Sequence, residues 1–336
     1  MAPINASWED LTEYGTSAWY ARRALLRAAV FETDDHRHWT QRPARAASVL
    51  TGVIAKVNDD TMVLEGRHGT EAVTVSPTTV TWLGARAALS VLRPGDPVIV
   101  RHRSAGAYSR TPRLAERIWA RIGRVTGTIV AVDAREILVD GGRHDRQPRR
   151  VVIATAAQRQ IQVRFPRLTP GYLIDVIGTR HSDYLLAVAP ATAQPTYHAG
   201  HLPAPPLVSG SVPVPVPVSG SAVWHEPDDE PDDLLGLGYP ALDPETGDRP
   251  ARGGTGCARL PFLSLGSAVR VRNECADRGA VLPVTSDGAM ARQFCDRCVQ
   301  CGTSPKGRVA DLTMVAFAEL GGNLENGCFN ATLGYL

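Results

Sequence analysis

The chain has 336 residues, enough for two or three domains, and its 43% hydrophobic and 21% charged content is that of a folded protein. Plentiful Gly (31) and Pro (25) against 6% aromatics point to short strands and turns rather than long helices. Net charge is only +2, and no stretch approaches the roughly 18–20 apolar residues of a membrane span, so a transmembrane helix is excluded.

The charge is unevenly placed. Residues 1–190 hold 26 Lys+Arg against 18 Asp+Glu (+8), residues 191–256 hold 2 against 9 (−7), and residues 257–336 hold 8 against 7 (+1). Lys56 and Lys306 are the only lysines, which fits a GC-rich genome as readily as a function.

Residues 1–47 read as an N-terminal arm with a short helix over 9–31, where Trp19, Tyr20, Leu26, Val30 and Phe31 give a partly apolar face. Such a helix docks on the next domain or pairs with a neighbouring subunit. The run Arg22–Phe31 is short and broken by Arg27, so it makes no convincing signal peptide.

An internal repeat follows. Gly52–Glu65 parallels Gly127–Asp140, and the Leu-x-Pro-Gly turn at Leu92–Gly95 parallels that at Leu168–Gly171; the offset is 75 to 76 residues in both places. β-branched alternation, a polar turn and a closing strand in each copy predict two small antiparallel barrels, over 48–110 and 111–189. The pattern resembles the small OB-like β-barrel modules of bacterial envelope proteins, across roughly residues 48–103 and 121–189.

From 190 to 254 the composition changes to a proline-rich and then acidic stretch. Pro203–Pro206 and Val212–Val218 favour extended polyproline geometry, and Glu226–Asp233 is an acidic run. The whole stretch reads as a stiff linker, and its alternating valines give it a surface for a second subunit.

Residues 255–336 hold all six cysteines, Cys257, Cys275, Cys295, Cys298, Cys301 and Cys328. An even count in a β-rich segment reads first as a disulfide framework and hence an oxidising compartment. Cys295-x-x-Cys298-x-x-Cys301 also has a spacing that holds zinc or iron–sulfur, so both chemistries stay open on the residues alone. Ala268–Asn273 and Ala280–Thr285 read as strands. Thr313 is a candidate N-cap for a helix carrying Met314, Val315, Phe317 and Leu320, which Gly321-Gly322 stops.

These motifs resemble the double-psi β-barrel superfamily of rare lipoprotein A, expansins and barwin. The matching residues are Val269, Val271 and Asn273, then Asp296, Cys298 and Cys301, then Asp311-Leu312-Thr313 with Ala316, Phe317 and Leu320. The resemblance implies three disulfides rather than a metal, and no cofactor. It also implies a glycan-facing Asp311, which acts as general acid in the catalytic relatives. The lytic pattern carries a histidine before its Leu-Pro-Phe segment; this chain has Cys257-Ala258-Arg259 there and no histidine after His225. Asp287 and Asp296 are the candidate second carboxylates, and a structural Asp311 would instead bond backbone N–H groups at the barrel–helix junction.

The expected fold is therefore mainly β: a short N-terminal helix, two OB-like barrels and a C-terminal double-psi barrel. The favoured function is a non-catalytic structural or binding protein of the bacterial cell envelope or exterior. It self-assembles through the arm or the proline-rich linker, or binds cell-wall glycan through the last barrel. A peptidoglycan-cleaving enzyme using Asp311 is the alternative. A nucleic-acid-binding OB protein is the third reading; no nucleic acid is expected, because Trp82, Trp119 and Tyr172 are isolated on aliphatic strands.

Overall fold

The computed structural model describes residues 48–103, 113–142, 145, 147–193, 197–201, 217–226, 234–242, 257–288 and 291–336. The expected helical arm of 1–47 and the Pro-Val run up to residue 216 lie outside the described residues. The fold is mainly β, with several small closed barrels and few helices.

The first barrel is built from β1 (Ser48–Val57), β2 (Thr61–Gly66), β3 (Gly69–Thr74), β6 (Pro97–Arg103) and β7 (Leu114–Ala120), with a small hairpin of β4 (Val80–Trp82) and β5 (Arg86–Ala87) beside β7. β1, β2 and β3 form a meander, β1 pairs β6, β6 pairs β7, and β7 meets β3 in parallel at Thr74↔Leu114, closing the ring. The second ring repeats that connectivity with β8 (Ile122–Asp133), β9 (Glu136–Asp140), β10 (Arg149–Ile153), β11 (Leu173–Arg180) and β12 (Leu185–Pro190). Its parallel closure is β10 on β12. Helix α1 (Gln158–Arg164) lies between β10 and β11 and sends Ile161 into the core.

The shared residues of the two copies have shared physical causes. A Cβ on Gly52 would lie 2.6 Å from the Glu65 carbonyl oxygen, and one on Gly127 would lie 2.1 Å from that of Asp140. Only glycine permits the close crossing of the first two strands. Each first strand then bulges, between Ile54 and Lys56 and between Ile129 and Ala131, which bends a long strand round a small barrel. Gly95 and Gly171 take φ of +94° and +86° in the Leu-x-Pro-Gly turns. The boundary between the copies shifts from the expected 110/111, because Leu114–Ala120 closes the first ring. Arg121, at φ +49°, leads straight into the second.

His102 sits on β6 beside Ala115, only 2% exposed, with neither ring nitrogen bonded among the described residues. Burial holds the imidazole below its ordinary value, and so does Arg113. The unfolded chain therefore binds a proton that the folded chain resists. Stability is expected to be flat above about pH 6.5 and to fall as pH drops below it, towards the folded value. Denaturation midpoints at pH 7.5 and pH 5 measure this slope. His102→Gln should flatten it, and an unchanged slope would remove His102 as its source.

The third barrel has six strands in the order β13-β17-β14-β16-β15-β18. They are β13 (Val218–His225), β14 (Leu237–Gly238), β15 (Ala268–Asn273), β16 (Arg278–Ser286), β17 (Arg308–Thr313) and β18 (Cys328–Tyr335). Two pairings, β13 with β17 and β14 with β16, are parallel; the rest are antiparallel. This corrects the reading of 190–254 as all linker. Val218, Ala222 and Trp224 enter the barrel core, as does Leu237, so the ring begins some forty residues before the first cysteine. Helix α2 (Met314–Glu319) follows β17, with the Thr313 hydroxyl accepting the Ala316 N–H at 3.3 Å, and Gly321 at φ +84° ends it.

The barrels share one apolar cluster. Trp82, Ile99, Trp119 and Ile122, with Ile177 and Ala191, pack with Phe317, Leu320 and Leu324 of the third barrel. Trp119 is fully buried and donates its indole N–H to Glu325 at 2.5 Å, while Arg117 pairs with the other oxygen of that carboxylate. Arg101 reaches the Gly322 carbonyl and the Asn323 side chain, each at 3.0 Å.

Candidate functional site

Asp311 lies in β17 between Val223 of β13 and Gly238 of β14. Its neighbours Ala310 and Leu312 belong to the core cluster, and strand alternation turns Asp311 to the outer face. There it lines a small cavity of about 40 Å³ against the second barrel, shared with Arg124, Thr126, Asp145, Arg149 and His225. His225, at the end of β13, places Nδ1 at 3.3 Å from Asp311 Oδ1. The carboxylate therefore faces an imidazole, while Thr313 caps α2, so the backbone-holding role expected of Asp311 belongs to Thr313.

Behind the cavity runs a buried ionic chain that crosses the seam between the second and third barrels. Arg124 (β8) donates Nε at 2.8 Å and Nη2 at 2.7 Å to the two oxygens of Asp175 (β11). Its Nη1 donates to the Trp224 carbonyl at 3.0 Å and to the Gly327 carbonyl at 2.8 Å, both in the third barrel. Arg308 (β17) donates back across the seam to Asp175 at 2.5 Å and also to Asp296 at 3.0 Å, where the Thr192 hydroxyl joins. Arg308 stacks over Phe294, 3.8 Å from the ring centroid. Arg124, Asp175, Asp296 and Arg308 are each no more than 5% exposed. Nearer the surface, Arg180 pairs with Glu226 at 2.5 Å, and Arg149 donates to the Glu226 carbonyl at 2.7 Å while pairing with Asp145 at 2.9 Å.

The charges settle the protonation pattern. Burial alone would raise Asp175, but Arg124 and Arg308 overcome it and hold the carboxyl at about 2. Burial would lower Arg308, and Asp296 with Asp175 raises it above the ordinary arginine value. Burial also pushes Asp311 up, and His225 reverses this, with Arg124 and Arg308 adding to the pull, so the net shift is below the usual carboxylate value. That direction favours the ionised carboxylate at Asp311. A general acid requires the opposite shift.

The structure separates the other candidate carboxylates. Asp287 follows Ser286, which pairs with Gly238, so strand β14 stands between it and Asp311, roughly 10 Å of sheet. Asp296 is held by Arg308 and Thr192. Asp311, Asp287 and Asp296 thus do not form one carboxylate pair across a groove. All six cysteines are joined as Cys257–Cys295, Cys275–Cys301 and Cys298–Cys328, with Cα separations of 5.5, 5.3 and 5.9 Å inside the usual range. Trp82 and Trp119 are buried, at 7% and 0% exposed, and so offer no stacking platform to a base. Tyr172 is engaged by Arg167 and His198.

Sequence reasoning missed His225, Arg124, Asp175 and Arg308. His225 had a local signal, as the last residue of the alternating run Val218–His225. The other three carry none, because the pairs across the seam join residues 51 and 133 apart, and the Arg308–Asp296 pair, 12 apart, crosses a segment with no repeating period. Among the described residues no helix is long and apolar enough to cross a membrane. Compared with known proteins, the chain matches no family model and no curated protein.

Proposed function

We propose that this chain is a non-catalytic structural and binding protein of the bacterial cell envelope or exterior, whose third barrel offers a surface to cell-wall glycan or to a second subunit. The observation that carries this reading is Asp311. It is buried, paired with His225 and kept ionised beneath Arg124 and Arg308, so it lacks the proton that glycosidic-bond cleavage must supply. The three disulfides fit an oxidising compartment. The third barrel is read as a double-psi barrel. Its six strands with two parallel pairings, Val269, Val271 and Asn273 on β15, and Asp311-Leu312-Thr313 running into α2 support that reading.

Incubation of the oxidised protein with purified peptidoglycan sacculi tests it. The protein is expected to co-sediment with the sacculi and release no soluble muropeptides. Release that disappears in Asp311→Asn would replace this reading with a lytic one. Failure to co-sediment, together with a monomeric mass by light scattering at high concentration, would remove both partners proposed here.

A lytic reading has one observation in its favour, the His225–Asp311 pair at 3.3 Å beside a small cavity. It makes His225, not Asp311, the proton-transferring group, and it requires muropeptide release that is lost in His225→Gln as well.

A further inference from the structure

The segment 294–307 has neither helix nor strand, yet it carries Asp296, the third-barrel end of the buried ionic chain. Its position therefore depends on what ties it down. Cys295, beside Asp296, is bonded to Cys257, which does not adjoin a seam acceptor in sequence, and Cys298, two residues past Asp296, is bonded to Cys328. Cys328 in turn follows Gly327, whose carbonyl accepts Arg124 of the second barrel at 2.8 Å. A Cβ on Gly327 would lie 2.7 Å from the Ala191 carbonyl oxygen, which shows how closely the barrels meet there. Asp296 meets the second barrel's exit through Thr192. One disulfide thus adjoins two of the third-barrel acceptors of the seam, Gly327 and Asp296, one at each of its ends. Cys275–Cys301 does not: Cys275 sits in the turn after β15, and Cys301 is five residues from Asp296.

We infer that the Cys298–Cys328 disulfide is a redox-governed latch that couples the second barrel to the third by fixing Asp296 and Gly327 at the seam. In the reduced chain, Cys298 and Cys328 are two thiols, and the 294–307 segment keeps the hydrogen bond from Asn330 to the Gly302 carbonyl but loses its covalent tie to the start of β18. Thiol–disulfide exchange with an external disulfide closes the latch: the two thiols lose two protons and two electrons to form the S–S bond, and the external disulfide is reduced to two thiols. Opening is the reverse, with a dithiol as reductant. Cys298 is 1% exposed and Cys328 is partly exposed, so exchange is expected to begin at Cys328. The inference rests on the seam alone and stands whether or not the protein binds glycan.

Scanning calorimetry of the full oxidised chain tests it. In the wild type the second and third barrels are expected to unfold in one transition. Cys298→Ser/Cys328→Ser should split that transition in two. Cys275→Ser/Cys301→Ser, which removes a comparable cross-link away from the seam, should lower the melting temperature and keep a single transition. A single transition in the Cys298/Cys328 variant, an equal split in the Cys275/Cys301 variant, or two transitions in the oxidised wild type would each overturn the latch. If the Cys298/Cys328 variant does not fold, Asp296→Asn with Thr192→Val and all three disulfides intact takes its place. That variant is also expected to show two transitions, and one transition there overturns the proposal.

Discussion

Arg308→Met is expected to cost about 3–5 kcal/mol of folding stability, the usual penalty for removing one partner from a buried ionic group. The side chain is 1% exposed and serves two carboxylates in two barrels, Asp175 at 2.5 Å and Asp296 at 3.0 Å. Without it Asp296, 5% exposed, keeps only the Thr192 hydroxyl among the described residues. Arg308→Lys should lose less, because it keeps the charge, but a single ammonium does not reproduce the fork that spans the two acids. Urea unfolding of the oxidised proteins measures both. A loss under about 1 kcal/mol for Arg308→Met would mean that the seam tolerates a stranded Asp296 carboxylate, and the ionic chain would then carry little of the fold.

Reduction of all three disulfides is expected to unfold the third barrel at room temperature. The bridges span 26, 30 and 38 residues, for which chain entropy gives about 3–4 kcal/mol each. Their loops overlap, so the three contributions do not simply add. Even two of them approach the whole stability of an ordinary domain, about 5–15 kcal/mol. Near-ultraviolet dichroism before and after reduction reads this directly through Tyr239, Phe294, Phe317 and Phe329, which lie buried in that barrel. A reduced protein that keeps its signal and its denaturation midpoint would show that packing alone holds the ring.

What the sequence made legible is what repeats locally. The two small rings announce themselves because each polar turn and Leu-x-Pro-Gly turn answers a backbone demand within a few residues of itself. Thr313 as the cap of α2 and Gly321 as its end were readable for the same reason. The first strand of the third barrel was obscured by its surroundings. Val218–His225 has strand alternation, but it continues a proline-rich run, and composition outweighed period. β14, with two residues, is shorter than any period can reveal. Asp311 was found by resemblance, and its chemistry was not, since the ionised state comes from His225, 86 residues earlier, and from Arg124 in a different barrel. Long-range charge pairing leaves no spacing in a sequence.

Arg121 has a consequence for how such a chain can grow. The single residue between β7 and β8 donates its N–H to the Pro97 carbonyl of the first ring at 2.8 Å, and its own carbonyl accepts the Arg180 N–H of the second at 2.6 Å. The join between copies is thus a splice inside two sheets, not a tether. A splice of this kind turns a duplicated stretch of sequence into a set rotation and a set translation, which is a screw operation. Copies added through the same join would lengthen the molecule by constant steps and add no slack.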